Sequence, residues 1–326
     1  MNRKDATYYV DAIRSGDRKV LSRAISIVES TRSSDMELSQ RILTQLGHVD
    51  STSLRIGITG SPGVGKSTFI ESIGQIMTKE HQLAILAIDP SSPETGGSIL
   101  GDKTRMNELS RNPKVYIRPS ATYNYYGGVN QSTYKTILLC EAAGFDRVII
   151  ETVGVGQSEY MVRGMVDFFL LLAQPAAGDE LQGIKKGVME MVDGIVVNKC
   201  DGELVQKAMT TQSQLKEALH YSQDKGKQAP VLCCSAVTGE KIHDVYQMIE
   251  KACAAQKYSG LFDQNRTSQR SNYFVKSIEV VMLKRLLNNP EISAERTELL
   301  EKLAEGTLDT FTAVDEFMRW FENRYL

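Results

Sequence analysis

The chain has 326 residues, of which 41% are hydrophobic and 24% charged, a balance that suits a soluble globular protein with one large domain and appendages or with two domains. Lysine plus arginine number 38 and aspartate plus glutamate 40, and this net charge of −2 gives no electrostatic case for nucleic acid or an anionic membrane as the main partner. No apolar run approaches the roughly 18 to 20 residues of a membrane-spanning helix, and the N-terminal "MNRKDATYYVDAIRSGDRK" lacks the apolar core of a secretory signal.

Residues 1–50 read as a small helical module. "YYVDAIRSG", "RKVLSRAISIVES" and "DMELSQRILTQLG" each space apolar residues three and four apart, with Gly16 and Gly47 as breaks. From 51 to 256 the rhythm changes to short apolar runs separated by helix-length segments: "LRIGITG", "LAILAID", "KVYIRPS", "RVIIET", "FFLLLAQ", "GIVVNKCD" and "PVLCCSA". Such runs suit strands covered on both faces, and their alternation with helices predicts an α/β fold with a mostly parallel sheet and ligands at the carboxyl ends of the strands. Residues 257–326 return to helix. Phe274, Ile278, Val281, Met282 and Leu286 share one face, and Phe311, Val314, Phe317, Met318 and Phe321 share another. The five cysteines form no CxxC pair and no metal spacing, which reads as reduced core thiols in a cytoplasmic protein.

"GSPGVGKST", 60–68, follows the first strand and precedes the helical "STFIESIGQIM". It fits GxxxxGK[ST] in full, in the context that makes the motif a P-loop. Its glycines let successive amides turn toward phosphate oxygens, so Gly63, Val64, Gly65, Lys66, Ser67 and Thr68 are the expected phosphate cradle. Lys66 is expected at the β- and γ-phosphates and the Ser67 hydroxyl on Mg²⁺.

"NKCD", 198–201, ends the strand "GIVV" and resembles the guanine-reading segment of GTPases. A carboxylate at Asp201 accepts from the ring N–H and the exocyclic amine of guanine, a donor pair that adenine lacks, so GTP and GDP are the expected ligands. Lys199 would lay its stem over the base and Asn198 would tie this loop to the cradle. Ser235 and Ala236, in "CCSAVTGE", resemble the second guanine loop, with a backbone N–H for the base carbonyl.

"ETVGVGQSE" resembles the DxxG element, with Glu151 in the aspartate's place and the Gly154 N–H facing the γ-phosphate. "AIDPSSPETGGSILGDKTRM" adds Asp89 and Asp102 as acidic candidates for the Mg²⁺ region and Arg105 as a cis-acting cation on the phosphates. No glutamine directly follows Gly154, so intrinsic hydrolysis is expected to be slow and to need a partner.

Taken with "AGDELQGIKKG", these motifs closely resemble the GTPases that act as chaperones for metal- and cobalamin-dependent enzymes, and among them the MeaB/ArgK branch. The resemblance covers nearly the whole chain. It implies a GTPase chaperone of an adenosylcobalamin-dependent acyl-CoA mutase, usually methylmalonyl-CoA mutase, that forms a homodimer through the C-terminal extension. It also implies that "QPAAGDELQGIKKG" is a third switch loop coupling nucleotide state to the mutase, with Asp179, Glu180, Lys185 and Lys186 as its charges. Residues alone would make these a solvated face. Where many relatives have PGAGDE this chain has "PAAGDE", which narrows the loop's backbone freedom. Two other readings compete. A nucleotide-hydrolysing or kinase component linked to lysine, arginine and ornithine transport is opposed by "NKCD", and a metallochaperone GTPase for nickel finds no His-rich tract among four histidines.

Overall fold

The computed structural model describes residues 3–47, 49, 52–89, 106–121, 128–152, 158–175, 186–222 and 228–326. They form two compact units, Met1–Gln269 and Arg270–Leu326.

The first unit is built on a seven-stranded, wholly parallel sheet in the order β3-β2-β4-β1-β5-β6-β7. The strands are β1 (Leu54–Gly60), β2 (Leu83–Asp89), β3 (Val115–Ala121), β4 (Arg147–Thr152), β5 (Phe168–Ala173), β6 (Gly194–Val197) and β7 (Val231–Cys233). Each falls on one of the seven apolar runs. β1 and β5 are buried along their whole length, the pattern of strands covered on both faces. The covering helices are α4 (Lys66–Met77), α5 (Gly128–Ala142), α6 (Ser158–Arg163), α7 (Lys186–Met191), α8 (Val205–Ser222), α9 (Ile242–Tyr258) and the start of α10 (Leu261–Leu287). Ile56, Ile58, Phe69, Ile70, Ile73, Phe168 and Leu170 centre the core between sheet and helices. At Gly57 a Cβ would meet Phe169 at 2.7 Å and Val162 at 2.9 Å, so this glycine is what lets α6 lie directly on β1.

Three N-terminal helices, α1 (Ala6–Arg14), α2 (Arg18–Glu29) and α3 (Ser33–Leu46), pack on one another through Ile13, Leu21, Ile25 and Ile42. Asp5 caps α1 by accepting from Tyr8 N, and Asp17 caps α2 by accepting from Lys19 N and Val20 N. This module bonds to β3, the strand at one end of the sheet. Arg18 donates to the Val115 carbonyl at 2.8 Å, the Ser22 and Tyr116 hydroxyls meet at 3.0 Å, and Arg118 pairs with Glu29. An exposed sheet edge is thereby covered.

At the amino end of the strands lies a buried charge cluster. Arg55, at the start of β1, makes a two-pronged bond to Glu141 on α5 at 2.7 Å for each prong, while its backbone N–H donates to Asp167 at 2.8 Å. Arg266 of α10 donates to both oxygens of Asp167 at 2.5 and 2.6 Å and also reaches Glu141. Burial alone would raise the Glu141 carboxyl, but the hydrogen bonds and charge of Arg55, with Arg266 and Ser53, more than reverse this and hold it below the usual carboxylate range.

The second unit consists of the remainder of α10 with α11 (Pro290–Ala304) and α12 (Thr310–Tyr325). Glu291 on α11 accepts from Arg324 at 2.7 and 2.8 Å and from the Tyr325 hydroxyl at 2.9 Å. Phe274, Ile278, Val281, Met282 and Leu286 on α10, and Phe311, Val314 and Met318 on α12, are exposed.

Candidate functional site

The order of the strands turns back beside β1, which has β4 on one side and β5 on the other, and this is where ligands sit in such sheets. The turn from β1 into α4 is the glycine-rich segment. Gly63 and Gly65 hold φ of 80° and 93°, a region open to glycine, and at Gly60 a Cβ would lie 2.5 Å from the Leu172 carbonyl oxygen. α4 starts from Gly65 with no side-chain cap, so its first-turn amides and dipole are directed at the loop's own concavity, an arrangement suited to an anion. Lys66 Nζ donates to the carbonyls of Gly60 at 2.8 Å and Ser61 at 3.3 Å, which folds the lysine back along the loop.

Ser67 is the second residue of α4 and is buried, and its hydroxyl donates to Glu151 Oε1 at 3.2 Å. Glu151 lies near the carboxyl end of β4 and is itself only 4% exposed. The register places it opposite Ile58 of β1 and Ala87 of β2, two residues before Asp89. Hence Ser67 and Glu151 meet at the carboxyl end of the sheet, and β2 ends in Asp89 beside β4 at that same end. Two hard oxygen donors buried side by side at a helix N-terminus are the donor type that Mg²⁺ takes. Asp102, Arg105, Gly154, Asp179 and Lys185 lie outside the described residues, as do the side chains of Asp89 and Lys186.

The loop after β6 is braced to the P-loop from the other side. Asn198, 2% exposed, donates through Nδ2 to the Val64 carbonyl at 2.9 Å and accepts at Oδ1 from the Ala236 N–H at 3.0 Å. A Cβ on Gly65 would come within 2.8 Å of that same Nδ2, so Gly65 makes room for the brace. Lys199, in the left-handed region at φ 58°, lays its chain across to the Gly63 carbonyl at 2.7 Å. Asp201 Oδ1 is buried and has no hydrogen-bond partner among the described residues. A buried carboxylate oxygen left so costs free energy unless a donor is brought to it, and the N–H groups of guanine are donors of the right kind.

The loop after β7 is joined to this one through Cys200 N–H to the Cys234 carbonyl at 2.9 Å. The Ser235 N–H donates to the Glu240 carbonyl at 3.0 Å, and the Ala236 N–H is held by Asn198. The Ser235 N–H therefore has its partner inside this loop and the Ala236 N–H has one on the loop after β6, so a base oxygen would have to share the Ala236 N–H with Asn198. Burial pushes the thiol of Cys233 up to about 11 and that of Cys234 up to about 12, so both stay protonated and unreactive at neutral pH.

Two contributors had no signal in the sequence. The Ser72 hydroxyl on α4 donates to the Ala236 carbonyl at 2.5 Å, and the Thr152 hydroxyl donates to that of Thr59 at 2.9 Å, tying the ends of β4 and β1 together. Each is a small polar residue among apolar ones. Its partner lies 164 or 93 residues away in the chain, beyond the reach of any local pattern.

Comparison with known proteins bears on the same features. The chain is 44% identical to a probable GTPase of Mycobacterium tuberculosis over 94% of its own length and 92% of that protein's. It is 40% identical to the GTPase ArgK of Escherichia coli over 96% of both, and 39% identical to the mitochondrial methylmalonic aciduria type A homolog of Mus musculus over 95% of this chain and 78% of that one. A solved structure described as an LAO/AO transport system kinase superposes with a TM-score of 0.75 at 33% identity, covering 99% of each chain. The family model described as methylmalonyl Co-A mutase-associated GTPase MeaB matches residues 21–291, and with the P-loop in place and braced by Asn198 to the loop that carries Asp201, the chain belongs to the MeaB family of GTPases.

Proposed function

We propose that the protein is a GTP-hydrolysing chaperone of an adenosylcobalamin-dependent acyl-CoA mutase, methylmalonyl-CoA mutase by the family's description, and that it works in the cytoplasm as a homodimer. The observation that carries the nucleotide is Asp201 Oδ1, a buried oxygen without a partner among the described residues, on a loop braced to the P-loop. An adenine nucleotide would leave it without a donor, and sites of that kind reject the wrong analogue by about four to five orders of magnitude. The mutase rests on the family's description together with the name of the mouse relative.

The residues of the site divide the work. Gly63, Val64, Gly65 and Thr68 shape the cradle, Lys66 moves from the loop carbonyls to the phosphates, and Asn198, Lys199, Asp201, Ser235 and Ala236 hold the base. Ser67 and Glu151, with Asp89 and Asp102, would hold Mg²⁺, whose chemistry when bound is to neutralise charge on the β- and γ-phosphate oxygens. Arg105 adds a cation, and the Gly154 N–H reads the γ-phosphate. Hydrolysis by the isolated protein is slow, because Val155 and not glutamine follows Gly154. Loss of the γ-phosphate releases the segments it orders, and a mutase that prefers one state is thereby coupled to the nucleotide. Asp179 and Lys185 belong to that coupling. The exposed apolar residues of α10 and α12 supply the surface for the second copy.

The test is a pull-down from the source cell with a GTP analogue and magnesium, followed by turnover with the captured mutase. Co-purification of an acyl-CoA mutase that accelerates hydrolysis is expected. Lys185→Ala should spare GTP binding and weaken that acceleration. The name of the solved structure at 33% identity favours a second reading, a kinase component of basic amino-acid transport. Calorimetric competition between ATP and GTP separates the two readings.

A further inference from the structure

α6 and α7 are short helices that begin inside the two segments assigned to the γ-phosphate and to the mutase, "ETVGVGQSE" (151–159) and "QPAAGDELQGIKKG" (174–187). They touch each other. Their far ends are joined by Arg163, which donates to Asp193 at 2.8 and 3.2 Å, while Asp193 also accepts from the Phe169 N–H of β5 at 2.9 Å. Their near ends meet at Tyr160 and Gly187. A Cβ on Gly187 would lie 2.6 Å from the Tyr160 hydroxyl oxygen and 3.8 Å from the ring carbon that bears it.

Gly187 has no left-handed backbone to explain it, since it is not among the residues with positive φ. Gly187 is the second residue of α7, where a Cβ would collide with the Tyr160 hydroxyl, so the glycine leaves the space that this hydroxyl occupies. Tyr160 is 64% exposed and contributes little to the core. The rest of α6 is anchored, with Val162 against β1 at Gly57 and Glu159 wholly buried. The strand beneath α6 is the one that ends in the P-loop.

We propose that Tyr160 is a positioning residue that transmits the nucleotide-dependent placement of α6 to α7 through its contact with Gly187. The inference rests on the reading of 151–157 as the γ-phosphate segment. A displacement of α6 moves the hydroxyl that rests on α7, while the Arg163–Asp193 pair keeps the far ends in register, so α7 pivots instead of travelling. In the chain, the residues assigned to the mutase run directly into the end of α7 that moves.

The experiment is hydrogen exchange by mass spectrometry on the full chain, with GDP or a non-hydrolysable GTP analogue and magnesium, reading residues 158–164 and 186–191. In the wild type both stretches should differ between the two nucleotides. In Tyr160→Ala and in Gly187→Ala, where the new methyl displaces the exposed hydroxyl, the difference at 186–191 should fall about fivefold while that at 158–164 persists. The double variant Gly187→Ala with Tyr160→Phe, whose methyl fills the space of the lost hydroxyl, should recover it, an outcome that general loosening would not produce. Thermal unfolding of each variant verifies folding. An unchanged difference at 186–191 in both single variants overturns the proposal. So does a wild type whose α6 responds and whose α7 does not, which leaves the γ-phosphate assignment standing. If neither helix responds although calorimetry shows the analogue bound, both fall together.

Discussion

Asn198 and Val64 are 134 residues apart, yet the Asn198 amide closes on the Val64 carbonyl at 2.9 Å while its oxygen takes the Ala236 N–H at 3.0 Å. One buried side chain thus joins the P-loop to the loops after β6 and β7. Removing it by Asn198→Ala leaves a buried carbonyl and a buried N–H without partners. This should cost about 1–3 kcal/mol of stability in urea unfolding and weaken GTP by at least about tenfold in calorimetry. Unchanged affinity would mean that the loops hold their places without the brace.

Asp201→Asn replaces an acceptor with an amide that presents donors to donors. The loss of two charge-assisted hydrogen bonds corresponds to about 3–6 kcal/mol, a weakening of GTP by roughly 10²- to 10⁴-fold. Xanthine nucleotides carry an acceptor in place of the exocyclic amine and should regain much of the affinity. Competition binding with GTP, XTP and ATP reads the outcome, and retention of GTP preference would count against Asp201 as the base reader.

Ser67→Ala removes the hydroxyl that lies 3.2 Å from Glu151. The magnesium concentration needed for half-maximal GTP hydrolysis should rise about tenfold or more, because Mg²⁺ loses one of few protein oxygens. GDP binding without added magnesium should change little. A magnesium titration of turnover beside a GDP titration distinguishes this from collapse of the loop.

Glu141 is held ionised below its ordinary value of 4.5 inside the Arg55–Asp167–Arg266 cluster. A carboxyl with a depressed folded-state value contributes stability that is present above its unfolded value and lost as the pH falls through the folded one. Glu141→Gln should destabilise by about 3–5 kcal/mol at pH 7, since it leaves buried arginine charge under-compensated. The gap between wild type and variant should narrow progressively below pH 4.5. Urea unfolding across that range measures it, and a gap independent of pH would show that shape and not charge is what Glu141 supplies.

Much of this molecule is legible in contiguous letters. The seven strands coincide with seven apolar runs because strands covered on both faces are apolar along most of their length. The P-loop is legible because amides that grip phosphate need glycines at set spacings next to the lysine and serine. "NKCD" is legible because it is a contiguous four-residue segment at the end of a strand.

What the letters alone left open was decided by distance in the chain. Whether Ser67 meets Glu151, Asn198 meets Val64 and Ser72 meets Ala236 depends on how the parallel sheet orders strands that are far apart in sequence. Arg55, Glu141, Asp167 and Arg266 each look like an ordinary surface charge along the chain. They become a buried cluster only when β1, α5, the start of β5 and α10 converge at one end of the sheet. A local pattern encodes what neighbouring residues do together, whereas partners supplied by separate strands and helices exist only once those elements have packed, and the pairing that places them is a property of the whole sheet.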